Sequence, residues 1–425
     1  MSSRIFREAL SMESETNVEV IDHAAAALAL ESATVEITDA GHQVDMLSLQ
    51  QEELEHAHTS LESIAFSLES LVAADERGLD RVAAEGYQHA VRAIVGDALP
   101  NPVASLESFG GESECSAATQ LSMEGIKDTI KKIWEAIKRA VNNTIKAVSD
   151  FFAKLFGGVD ALEKKFKGIQ EAVEKAKKEG YVAEGDFKAP GADRLEMEGK
   201  FDMGAIQSGM KLLGGGVKNT VDKIAETAES YYADLAAFYK KADEPKDVEE
   251  FASNKKTKIT EISKSSKEIG RMLPGGKAIV VESSSESGDD KPSIPSIKIE
   301  DHPNAKNFSG DSKMAVPSLD DIAKLADEGL KLVEWMKNAK KGREKIVSAR
   351  QDAVKAAEGW VKDGERGKLK EAWTQAKVNG AMYLAQRNMD SNLSRVDGYM
   401  FSYARGVAAF ADAAVKQYGE KKEEK

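Results

Sequence analysis

Cysteine is all but missing: Cys115 is the only one in 425 residues. That excludes an intramolecular disulfide and any cysteine cage for zinc or an iron–sulfur cluster, so the fold rests on packing. Such a chain suits a reducing cytoplasm. Long apolar runs are missing too. The opening MSSRIFREALSMESE holds no apolar stretch of secretory length, and no later stretch approaches about 18 uncharged apolar residues. Neither classical export nor membrane spanning is expected. Histidine is scarce and uneven, with five of six before residue 124 and His302 alone after it.

Lysine is missing from the first 124 residues, which carry 5 arginines against 23 Asp and Glu. The remainder holds 54 of the 59 basic and 49 of the 72 acidic residues. A chain of net charge −13 is thus an acidic segment of −18 joined to a remainder of +5. The break falls at Ser122-Met123-Glu124-Gly125. With 41% apolar and 31% charged residues, both parts can build an ordinary core.

In the acidic segment, apolar residues at helical spacing predict helices over 44–72 and 79–94, with a third over 19–36. Asn101-Pro102, Gly110-Gly111 and many serines make 97–124 a linker open to a protease. One tripeptide recurs: Ser11-Met12-Glu13, Ser60-Leu61-Glu62, Ser67-Leu68-Glu69, Ser105-Leu106-Glu107 and Ser122-Met123-Glu124, with Ala29-Leu30-Glu31 a near match. A small residue follows each, among them Ser14, Ser108 and Gly125. Random order predicts roughly 0.3 occurrences, and none is found beyond Gly125. At Leu61 and Leu68 a heptad core serves as well as a protease motif; at 105–107 and 122–124 no helix demands the pattern. A protease with a small pocket, a tolerant apolar subsite and a basic pocket for glutamate reads this tripeptide in extended chain.

Reiterated Ser/Ala-x-Glu sites at Glu13, Glu31, Glu62, Glu69, Glu107 and Glu124, in an acidic segment before a Lys-rich helical remainder, resemble the precursor of an internal head protein of phiKZ-like giant tailed phages. The resemblance implies cleavage by a serine-type prohead protease, the last cut falling between Glu124 and Gly125 with Ser122 and Met123 as recognition residues. Ser105 and Leu106 play that part for the cut between Glu107 and Ser108. It further implies synthesis in the host cytoplasm and residence in the capsid interior beside other head proteins and packaged DNA, with delivery into the host alongside the genome.

Beyond Gly125 lies the most regular pattern in the chain. Apolar residues from Ile126 to Phe156 step by three and four, with Lys127, Lys131, Lys132, Lys138, Arg139 and Lys146 mainly off the stripe. Gly157-Gly158 is expected to end this helix, and a second Lys-rich helix to follow from Val159 to about Lys178. Two readings stand open. Cations beside Trp134, Phe151 and Phe152 suit DNA phosphates or an anionic host membrane; alternatively, the stripe packs in a bundle and the lysines are solvated. Masking of this helix by the acidic segment needs docked helices, because exposed charges are screened within about 8–10 Å.

The remainder predicts a connector over 180–200, a helical stretch to 273 interrupted at Gly214–Gly216, and a flexible insertion over 274–317. Residues 278–281 and 296–299 in that insertion form a β-hairpin, and a C-terminal helical domain occupies 318–425. Ser318 reads as its N-cap. Neither glycine-rich stretch is a phosphate loop: Gly209 to Gly214 leads into Gly215, and Pro274-Gly275-Gly276-Lys277 leads into Ala278. His56 and His58 stand about 200° apart on a helix and read as solvated rather than metal-binding. The fold class expected is mainly α: an acidic helical propeptide, then a multi-helix bundle with a small hairpin. No enzyme, cofactor, metal or small-molecule substrate is expected. A membrane-active toxin or effector with an inhibitory acidic propeptide is the alternative.

Overall fold

A computed structural model describes residues 16–74, 86, 89–91, 93–94, 115–183, 185–240, 272–282, 296–305, 312–366 and 389–419. Its helices are α1 (Thr16–Ala74), α2 (Cys115–Lys178), α3 (Ala192–Leu195), α4 (Met203–Leu212), α5 (Lys218–Tyr239), α6 (Leu319–Arg366) and α7 (Met389–Val415). The strands are β1 (Asp186–Lys188), β2 (Lys277–Glu282), β3 (Ser296–Asp301) and β4 (Lys313–Ala315). The mainly α fold is as expected.

Helix lengths differ from the expectation. The segments 19–36 and 44–72 form one helix of 59 residues. Leu30, Ile37 and Val44 stand seven apart and are buried, as are Leu54 and Leu61, so a single face runs along it. Helix α2 passes straight through Gly157-Gly158 for 64 residues. The glycine signal at 158 is one of packing rather than termination: a methyl group there would lie 2.8 Å from Ile37 and 2.9 Å from Phe401. Three helices meet at that point. Helix α2 stops at Gly180, whose φ of 66° only glycine adopts freely. Gly180 N donates to Lys177 O and Tyr181 N to Ala176 O, which satisfies the last carbonyls. Residues 115–124, expected as linker, belong to α2.

Leu213–Val217, with its three glycines, forms a π-helical turn that carries α4 into α5 while Leu213 and Val217 stay buried. Ser318 caps α6 as expected, its Oγ accepting from Asp321 N at 3.1 Å, and Asp320 and Asp321 complement the helix dipole. Helix α6 then runs 48 residues without a break.

The hairpin of β2 and β3 is antiparallel, with Ile279 opposite Ile299. Its first strand is packed: Ala278 and Ile279 are buried, and just before it Tyr399 of α7 donates its hydroxyl to Pro274 O. His302 is half-buried, and its backbone N–H donates to Gly276 O. A second pair joins β1 to β4, with Phe187 opposite Met314.

One hydrophobic core cluster draws on α1, α2, α4, α5, α6 and α7. Helix α7 lies at its centre: Met400, Ala404, Val407, Ala408, Phe410 and Ala411 are fully buried, and the alanines admit neighbours closely. Two buried ion pairs join α6 to α7. Arg350 meets Asp390 at 2.6 Å and Arg343 meets Asp397 at 2.7 Å. The two arginines stand seven residues apart, as do the two aspartates in the opposite order, so the rungs fit an antiparallel register. Trp335 of α6 donates to Asp222 of α5 at 3.0 Å.

Candidate processing boundary and basic helix

Ser122, Met123, Glu124 and Gly125 lie in the first three turns of α2, on helical backbone. A protease that reads extended chain therefore requires those turns to open. Helix ends fray at small cost, which makes the opening local rather than global. Glu31 is exposed on α1, within electrostatic reach of Arg405 on α7. Glu62 and Glu69 also fall within α1. Leu61 is buried beside its exposed Ser60, as the heptad reading requires. Glu13, Ser14, Ser105, Leu106, Glu107 and Ser108 lie outside the described residues, as do the side chains of Glu62, Glu69, Lys127 and Lys131.

Helices α1 and α2 run antiparallel. Ile37 lies against Gly158, Gly41 against Phe151 and His58 against Trp134, so advancing along one helix means receding along the other. Asp45 of α1 is tied to Arg395 of α7 at 2.6 Å. This ion pair spans 350 residues, and no local pattern in the sequence points to it.

The basic helix divides cleanly into two faces. Lys132, Arg139 and Lys146 are exposed. Lys138 is half-buried, 5.5 Å above the Trp134 ring and 2.9 Å from Glu135. Trp134 is half-buried. Phe151 and Phe152, turned to DNA or membrane in one reading and packed in a bundle in the other, are buried edge to face with ring centroids 5.5 Å apart. Helix α1 meets this stripe at Phe151 and Trp134, and those three cations stay in solvent. Docking is as the masking idea required, but what is masked is the apolar face.

His58 corrects a second expectation. It is buried against Trp134 at 5.7 Å, and burial lowers its pKa to about 4. His56 is exposed, so the two rings do take opposite sides of α1. No group of three or more metal-binding side chains occurs among the described residues. Among them, too, no helix is long and apolar enough to cross a membrane.

The long buried helical pair, the Ser/Ala-x-Glu sites along α1 and at the head of α2, and the basic outer face give the geometry to set beside known proteins. A family model of phiKZ-like phage internal head proteins matches residues 25–413, from within α1 to within α7. No curated protein and no solved structure matches the chain. With nearly its whole length matched, the chain belongs to the phiKZ-like phage internal head proteins, and its place is inside the virion head.

Proposed function

We propose that this internal head protein is made as a precursor and cut between Glu124 and Gly125 by the prohead protease, leaving residues 125–425 as the main mature chain. The observation that carries this reading is the fivefold tripeptide, confined to 1–124, whose last copy sits where the charge balance reverses. The site's place near the start of α2 supports it, because only a few turns need open for the chain to enter a protease cleft.

The mature chain then associates with packaged DNA through the exposed row of Lys132, Arg139 and Lys146. Removing 1–124 takes away 23 acidic residues and converts a net charge of −13 into +5. Lysine contacts to phosphate release counterions, so the association weakens as salt rises. Ejection with the genome follows if the mature chain travels with the DNA it holds.

Mass spectrometry of purified particles tests the processing: a chain beginning at Gly125 is expected, and equal recovery of peptides on both sides of Glu124 overturns it. DNA-binding titrations at two salt concentrations test the association. Tighter, salt-sensitive binding is expected from the cut protein than from the intact precursor, and equal binding by both removes the DNA reading.

A further inference from the structure

We infer that the segment from Ser32 to Glu62 stays bound after processing, as a separate chain seated between α2 and α7, so that the mature protein is two-chained. This rests on the processing reading and deepens it. Among the described residues, the docked face of α1 is carried by Leu30, Ile37, Ala40, Val44, Leu54, His58 and Leu61, all buried. All but Leu30 lie between Glu31 and Glu62, and no Ser/Ala-x-Glu site falls between those two residues. Cutting after Glu31 and after Glu62 therefore leaves the docking segment whole. It spans about 46 Å as a helix at about 1.5 Å per residue.

What holds it is independent of the peptide bond at Glu124. Ile37 packs against Gly158 and Gly41 against Phe151, His58 rests on Trp134, and Asp45 pairs with Arg395 at 2.6 Å. These fixings reach both α2 and α7. Losing the segment would uncover the sides of Phe151 and Trp134 that meet Gly41 and His58, so the apolar contact that docks α1 in the precursor still favours the docked state after the cut.

Peptide recovery from purified particles separates the outcomes. Peptides of 32–62 in amounts matching those of 125–425 are the expected result; 32–62 recovered far below 125–425 overturns the two-chain form. Peptides crossing Glu124-Gly125 in full amount would instead overturn the processing reading. A second measurement needs no phage protease. The full chain, with residues 122–125 replaced by the site of a sequence-specific protease, is cut and passed over a sizing column. Residues 1–124 are expected to travel with 125–425 in native buffer and to separate from it in denaturant. Separation in native buffer overturns the inference.

Discussion

Arg350 and Asp390 are both wholly buried, and a buried charge is tolerable only while its counter-charge is present. Asp390→Ala is expected to cost about 3–5 kcal/mol in a denaturant titration, whereas Arg350→Met with Asp390→Leu together costs far less because no charge is stranded. Lys337 bridges Asp160 and Glu163 at the surface; there Lys337→Ala should cost under about 1 kcal/mol. His58 gives a pH signature. Its folded pKa of about 4 lies below the ordinary 6.5, so between those values the unfolded chain binds a proton that the folded chain refuses. Stability is full above pH 6.5 and falls as pH drops toward 4, by about 3 kcal/mol for a shift of this size. His58→Phe should flatten this part of a stability-versus-pH curve, and an unchanged slope would assign the dependence elsewhere. Neither feature was legible in sequence. Arginines in a highly charged helix look solvated until a facing helix supplies aspartates at the same seven-residue interval, and a histidine two places from its neighbour reveals opposite faces without saying which is inside.

Among the elements, apolar periodicity located every long helix but not its ends. The stretch before Val44 and the stretch after it read as two helices because Gly41 and polar residues lie between them, yet the buried face at Ile37, Ala40 and Val44 is continuous. At Gly158 a local rule misled for a clear physical reason. Glycine often follows a helix, but it also permits close approach, and here both Ile37 and Phe401 occupy the space a side chain would need. Gly158→Val is therefore expected to destabilise the protein by about 1–3 kcal/mol through overpacking, read as a lowered midpoint in thermal unfolding. Gly157→Ala next to it meets nothing within 4 Å and should be neutral or slightly stabilising. The Ser318 cap and the hairpin at 277–301 were legible, because each depends on residues close in sequence.

Across the whole molecule, what could be read was composition: an acidic first third, a helical remainder and a reiterated tripeptide, which together placed the chain among internal head proteins. Invisible was the arrangement that makes α7 central. Its sequence of alanines, glycines and moderate apolar residues resembles an ordinary bundle helix, and only packing shows it touching α1, α2, α5, α6 and β3. Deleting residues 389–425 is expected to abolish the cooperative thermal transition of the entire chain, measured by circular dichroism, rather than to trim one end of it. The three-helix meeting at Gly158 also has a consequence in time. Ile37 and Gly158 leave the ribosome long before Phe401, and at about 5–20 residues per second the interval is roughly 10–50 s. For that period each newborn chain carries a half-closed groove with its third wall still unmade.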